Sequence, residues 1–232
     1  VTRPRLLDLF CGAGGASVGY HRAGFDVVGV DIRFQREYPF EVYQADALTF
    51  PLDGFDAIHA SPPCQAHSSL RSIEATRSRL FPIHPDLIAP TRARLATVGV
   101  PTVIENVPGA PIRADICLCG SMFGLGAVCR DGEYRQLRRH RIFEAAGWVP
   151  GLALRCSHHG QAVGVYGHGG GRPETTRLRK KEYLGVLAEC QAAMGIDWAR
   201  GSGLREAIPP AYTEAIGHQL AVSIAPRLGV SA

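Results

Sequence analysis

Arg5-Leu6-Leu7-Asp8-Leu9-Phe10-Cys11-Gly12-Ala13-Gly14-Gly15, followed by Ala16 to Ala23, Gly24 and then Phe25-Asp26-Val27-Val28-Gly29-Val30-Asp31, reads as one complete β-α-β unit. The run Arg5 to Phe10 is short, apolar and ends in glycines, as a buried strand does. Ala16 to Ala23 reads as a helix stopped by Gly24, and Phe25 to Val30 as a second buried strand. Strands joined through a helix lie parallel, and a parallel sheet is covered on both faces.

Outward from this unit the alternation continues. Strands are expected at Phe55 to Ala60, Thr102 to Ile104 and Arg141 to Phe143, with a helix from about Pro85 to Val98. The pattern predicts an α/β chain: a mainly parallel, Rossmann-like sheet with helices on both faces. From Ala145 the periodicity gives way to glycine, histidine and polar residues, including Gly167-His168-Gly169-Gly170-Gly171. Helical spacing returns at Tyr183 to Ala193 and at Pro209 to Ala225, where Tyr212, Ile216, Leu220 and Ile224 recur on one face. The expected organisation is a catalytic and cofactor-binding domain over residues 1–144, a small lobe over 145–200, and a C-terminal helix over 201–232 completing the first domain.

The 232 residues, 46% hydrophobic, suit one compact domain with a small appended lobe. No run of about eighteen apolar residues exists, so no membrane partner is expected and the chain reads as cytosolic. Seven cysteines, an odd number scattered through a chain of this size, argue for reduced thiols. The formal charge of +4 is modest. Basic residues nevertheless cluster twice, at Arg135, Arg138, Arg139 and Arg141 and at Arg172, Arg177, Arg179, Lys180 and Lys181. Such clusters are solvated surfaces or phosphate contacts.

Gly12, Gly14 and Gly15 remove side chains where backbone must approach a ligand, at the N-terminus of a helix. Asp31, ending the second strand, is placed to accept ribose hydroxyls, and Asp46, after the next strand, an adenine amino group. Nicotinamide, flavin and S-adenosylmethionine enzymes all share that geometry. At Ser61-Pro62-Pro63-Cys64-Gln65 two prolines stiffen a strand exit, so that Cys64 begins a loop at the carboxyl edge of the sheet. Gln65 to His84 is polar, basic and long enough to act as a lid. Val103-Ile104-Glu105-Asn106-Val107 brings a carboxylate and an amide to the same edge, and Arg139-His140-Arg141 puts two arginines on one face of a strand. Cys117, Cys119, Cys129, Cys156, His158 and His159 do not have zinc-knuckle spacing, and no metal is expected. Cys156 and its histidines read as packing or nucleic-acid contacts of the lobe.

Taken in this order, the glycine loop, Pro62-Pro63-Cys64-Gln65, Glu105-Asn106-Val107 and the arginine strand resemble the DNA cytosine-5 methyltransferases, particularly the short versions of bacteriophages. The resemblance covers Leu6 to about Phe143 and about Met194 to Leu228. It implies S-adenosylmethionine as cofactor, contacted by Phe10, Gly12 and Gly14, with Asp31 on its ribose and Asp46 on its adenine. It further implies Cys64 as nucleophile, Glu105 on the cytosine edge, and Arg141 holding the base with Arg139 assisting. The implied partner is double-stranded DNA with the target base flipped out, met by a monomer in a bacterial or phage-infected cell. A transfer-RNA-type cytosine-5 methyltransferase and a silent DNA-binding relative are the alternatives. Two segments depart from the family pattern: Leu137 replaces a glutamine, and Arg205-Glu206-Ala207-Ile208-Pro209-Pro210 replaces Gly-Asn-Ala-Val-Pro-Pro.

Overall fold

The computed structural model describes residues 2–63, 86–165 and 182–228. Cys64, the basic loop Gln65–His84, the tract Gly167–Gly171 and the second basic cluster, Arg172 to Lys181, lie outside the described residues.

A seven-stranded sheet forms the centre. Its strands are β1 (Arg5–Leu9), β2 (Asp26–Asp31), β3 (Glu41–Gln44), β4 (Ala57–Ala60), β5 (Thr102–Asn106), β6 (Ile116–Leu118) and, later in the chain, β9 (Arg141–Ala146). The order is β3-β2-β1-β4-β5-β9-β6. The first five strands are mutually parallel, whereas β9 runs antiparallel to both of its neighbours. The chain winds outward in one direction from β1 to β3 and in the other from β4. The carboxyl ends of β1 and β4 therefore flank the switch point, where open α/β sheets bind ligands.

Alternation along the strands sorts side chains between two layers. Leu6, Val27, Ala57, Val103 and Phe143 face one side. They are covered by α1 (Gly15–Arg22) and a closing helix, α5 (Pro210–Ile224). Leu7, Leu9, Val28, Val30, Ile58 and Ile104 face the other, with Leu95 of α2 (Ile88–Leu95) packed against them. The expected stripe Tyr212, Ile216, Leu220 and Ile224 is wholly buried. Close approach of α1 and α5 depends on glycine at their crossing. A Cβ at Gly19 would lie 2.1 Å from Thr213 Oγ1 and 2.2 Å from the Pro210 carbonyl, and one at Gly217 would lie 2.6 Å from Ala23 Cβ.

The later part of the chain holds more structure than its sequence suggests. A hairpin, β7 (Gly126–Val128) with β8 (Tyr134–Gln136), precedes β9, and β10 (Ala162–Gly164) pairs parallel with β11 (Glu182–Leu184). The helix expected from Tyr183 begins instead at Leu187 as α3 (Leu187–Met194), because Tyr183 belongs to β11. The Glu189 carboxylate fixes that start by accepting from Val186 N at 2.8 Å. A short α4 (Gly201–Glu206) follows. Leu137, Val163, Val165, Ala193, Met194, Ile196, Ala199 and Leu204 form a second apolar cluster that reaches Ala13 of the glycine loop. Leu137, bridged to Val163, is fully enclosed there, an environment that suits an apolar side chain.

Candidate functional site

The glycine loop leaves β1 and turns back under its own helix. Phe10 has φ 60°, the only positive φ outside glycine among the described residues, and Gly12 (50°) and Gly14 (82°) continue the left-handed path. A bulky residue in that region marks backbone held by its surroundings, and such positions concentrate at binding sites. Gly14 also admits Tyr38 and Pro39, whose side-chain atoms lie within 3 Å of where its Cβ would be. A Cβ on Gly12 would meet nothing within 4 Å, so the space beside it is open. Asp31, ending the neighbouring β2, accepts from Gly12 N at 3.0 Å and from Arg33 N at 2.9 Å, so its carboxylate also braces the loop. Ile32 and Phe34, just beyond it in the chain, are 65% and 72% exposed, high values for large apolar side chains. Asp46 stands after β3, with Oδ1 accepting from Leu48 N at 2.8 Å in a local turn. From the far end of the chain, Trp198 donates its indole N–H to the Ala13 carbonyl at 2.8 Å.

One strand over, the same level of the sheet carries the proline exit. Leu9 pairs with Ala60, and Ser61 N donates to the Leu9 carbonyl at 3.1 Å, so the glycine loop and Pro62-Pro63 leave adjacent strands side by side. Asn106, at the end of β5, donates from Nδ2 to the Pro62 carbonyl at 3.0 Å. Beneath the exit, His59 lies wholly buried between Tyr20 OH (3.0 Å) and Ser61 Oγ (2.8 Å). Burial pushes the imidazole down to about 3, so it stays neutral and holds the start of the turn by hydrogen bonding.

Glu105 precedes Asn106 and is buried. The antiparallel sense of β9 brings the beginning of that strand, not its end, to the carboxyl edge: Ile142 pairs with Asn106 and Phe143 with Glu105. Arg141 Nε consequently lies 2.8 Å from Glu105 Oε1. Burial raises the Glu105 pKa, and the charges of Arg141 and Arg139 offset this only in part. Arg139 itself precedes the strand. Its guanidinium donates to the carbonyls of Val165 (3.2 Å) and Arg205, while its own carbonyl accepts from Tyr212 OH. It ties the lobe and the closing helix to the site.

Residues 4–109 match the family model described as C-5 cytosine-specific DNA methylase. Over these residues, a little under half of the chain, the sequence is similar to that family. A segment is 33% identical over 90 residues to the Type II methyltransferase M.FnuDI of Fusobacterium nucleatum; the match spans 33% of this chain and 26% of that protein's length. Two solved structures extend the likeness in fold to nearly the whole chain. The S. pombe Dnmt2 methyltransferase is 12% identical with a TM-score of 0.54, covering 97% of this chain and 99% of that one. The Entamoeba histolytica methyltransferase EhMeth is 13% identical with a TM-score of 0.51, covering 98% and 99%.

Several parts of this site are not legible in the sequence. Asn106 had no role assigned, yet it ties two loops together. Asp8, read simply as a strand residue, is wholly buried, with Oδ2 accepting from Ser17 Oγ, which accepts in turn from Tyr38 OH at 2.8 Å. Burial raises Asp8 to about 7, with the Ser17 hydrogen bond opposing and the charges of Asp31 and Glu105 adding to the rise. Of the first arginine cluster, only Arg139 and Arg141 face the site. Arg135 pairs with Asp131 at 2.6 Å and covers the Tyr183 ring, and Arg138 donates to the Gly160 carbonyl at 2.6 Å. These two are occupied within the lobe.

Proposed function

We propose that the protein methylates carbon 5 of a cytosine in double-stranded DNA, with S-adenosylmethionine as donor and Cys64 as nucleophile. The observation that carries this reading is the buried Glu105–Arg141 pair, 2.8 Å apart, beside the proline exit that Asn106 holds. A carboxyl group and a guanidinium side by side offer donors to N3 and O2 of one pyrimidine edge.

The glycine loop suits the cofactor, since the space at Gly12 is open and the strand-end carboxylate of Asp31 stands next to it. Phe10, Gly12 and Gly14 would line its chain, Asp31 would meet the ribose, and Asp46 the adenine amino group. Ile32 and Phe34 offer apolar faces for the adenine ring. When bound, S-adenosylmethionine supplies an electrophilic methyl group.

The protein's own residues then act on the pyrimidine. Addition of the Cys64 thiolate to carbon 6 turns carbon 5 into an enamine-like nucleophile. Glu105, its pKa raised by burial, donates its proton to N3 as negative charge builds on the ring. Arg141 stabilises the O2 side, and Arg139 holds the strand that carries it. Loss of the carbon-5 proton expels the Cys64 thiolate and restores the aromatic ring. Carbon 6 is inaccessible in a stacked duplex, so the base is taken out of the helix first.

The test is transfer of labelled methyl from S-adenosylmethionine to duplex DNA and, in parallel, to transfer RNA. Label at carbon 5 of DNA cytosine, lost in Cys64→Ala, is expected. Labelling confined to RNA, or surviving in Cys64→Ala, overturns the substrate or the mechanism respectively.

A further inference from the structure

Around the start of β9, three segments bring cysteine and histidine together. Cys119 follows β6 and is buried. His140 directly precedes β9, and Cys156 and His158 come from the irregular segment between β9 and β10. Cys119 Sγ lies 3.3 Å from His158 Nε2, and Cys156 Sγ lies 3.8 Å from His140 Nε2. The donor atoms of Cys119, His140 and His158 all fall within 4.8 Å of one another. The two imidazole rings are 5.2 Å apart and nearly perpendicular, at 80°, so they do not stack face to face.

We propose that Cys119, His140, Cys156 and His158 form a structural zinc site. With Zn–S of about 2.3 Å and Zn–N of about 2.0 Å, tetrahedral geometry separates a sulfur from a nitrogen ligand by about 3.5 Å. Two of the four sulfur–nitrogen separations, Cys119 to His158 at 3.3 Å and Cys156 to His140 at 3.8 Å, bracket that value, and Cys156 joins the compact group of the other three through His140. Two thiolates with two imidazoles is a donor set that selects zinc over hard cations. Spacing along the chain hides the site, because neither Cys119 nor His140 belongs to a local motif with Cys156 and His158.

The segment from 147 to 161 gives the site a purpose. It has no helix or strand, and most of its residues are exposed. Long connections of this kind need ties of their own. Its described ties to the rest of the chain include Trp148 Nε1 donating to the Thr102 carbonyl, Gln219 Oε1 accepting from Gly151 N, Gln136 Oε1 accepting from His159 N, Gly160 O accepting from Arg138 and Gln161 Oε1 accepting from Arg135, and none of them holds Cys156 or His158. A metal bound through Cys156 and His158 fastens the segment's second half to the sheet. It also clamps His140, the residue between Arg139 and Arg141, whose carbonyl accepts from Arg141 Nη1 at 2.9 Å. The site is thus a positioning device for the arginine strand and touches neither substrate nor cofactor.

The experiment uses the full chain, purified under reducing conditions, incubated with zinc and dialysed, with metal measured by mass spectrometry. One zinc per chain is expected. Cobalt substituted for zinc should give the intense tetrahedral absorption and a thiolate-to-metal charge-transfer band. Cys119→Ser should abolish retention. The exposed Cys156→Ser, a milder change to folding, should weaken zinc binding at least tenfold and diminish the charge-transfer band. Cys190→Ser, on α3, should leave both unchanged. Folding is checked for each by circular dichroism. Wild-type protein that holds no zinc, a Cys119–Cys156 disulfide in freshly reduced protein, or a folded Cys156→Ser chain with wild-type zinc affinity overturns the assignment.

Discussion

The side-chain amide of Asn106 spans two loops: Nδ2 donates to the Pro62 carbonyl at 3.0 Å and Oδ1 accepts from Val107 N at 2.9 Å. Asn106 is buried, so neither bond can be replaced by water without rearrangement. In Asn106→Asp the acceptor survives, the donor is lost, and a carboxylate oxygen faces the Pro62 carbonyl. We expect methyl transfer to fall at least tenfold in kcat, with cofactor affinity within twofold of wild type, since the glycine loop lies on another strand. Steady-state kinetics with calorimetric titration of S-adenosylmethionine checks the split.

In the proposed mechanism Glu105 acts in its protonated form, so activity should decline on the alkaline side as this carboxyl ionises. Its raised pKa brings that limb closer to neutrality than an ordinary carboxyl would. Glu105→Gln keeps a donor and cannot ionise. The rate should drop by roughly two orders of magnitude, and the alkaline limb should vanish from the kcat profile. A Gln variant that retains the limb assigns it to another group.

Asp8 and His59 pull the pH dependence of stability in opposite directions. Asp8 holds its proton up to about 7 in the folded chain, against an ordinary value of 3.8, so the folded state binds more protons in that window and its stability falls as pH rises through it. His59, lowered to about 3 by burial, loses stability as pH falls below its ordinary 6.5. The two partly cancel in the wild type. Asp8→Asn removes one of them while Ser17 can still donate to the amide oxygen. The variant should gain ~2–4 kcal/mol on wild type between pH 4 and pH 8, read by urea denaturation at both.

Glu144 is buried in β9 and accepts from Arg92 Nε (2.9 Å) and Nη2 (2.8 Å) and from Arg113 N (2.9 Å). It locks α2 and the turn before β6 onto the strand that begins at Arg141. Glu144→Ala should destabilise the fold by about 3–5 kcal/mol. The Arg92 hydrogen bond leads in lowering the Glu144 pKa, so this stability is present above the ordinary carboxylate value and disappears as pH falls through the folded one. The difference between variant and wild type in thermal denaturation should therefore shrink below pH 4.5.

Gly19→Ala should cost about 1–3 kcal/mol or more, because its new Cβ meets Thr213 Oγ1 and the Pro210 carbonyl rather than a flexible side-chain tip. Gly99→Ala, where a Cβ meets nothing within 4 Å, should change stability by less than about 0.5 kcal/mol. Comparing the two by differential scanning calorimetry isolates the helix crossing.

Local signals made most of the sheet readable. The first β-α-β unit and the stripe from Tyr212 to Ile224 needed only periodicity and glycine. Glu105 and Arg141 were readable singly, as strand-end residues. Their contact was not, since it depends on β9 entering the sheet antiparallel, a property of sheet order that no local pattern encodes. The β7–β8 hairpin escaped notice because Tyr134-Arg135-Gln136 is too short and polar to alternate visibly. Asp31 was legible as a strand-end carboxylate, but its bonds to Gly12 and Arg33 arise from the left-handed path of the loop. The convergence of Cys119, His140 and His158 is tertiary in origin, so spacing rules pointed away from it.

The packing of α5 on α1 also has a bearing on synthesis. Thr213 Oγ1 donates to the Ala16 carbonyl across 197 positions of sequence, so the helix that carries the glycine loop meets its covering layer only after the intervening residues have been made. Contacts of such long range close slowly. During translation one face of the nascent sheet, with Tyr20 and Phe25 on it, stays uncovered until residues 210–224 leave the ribosome.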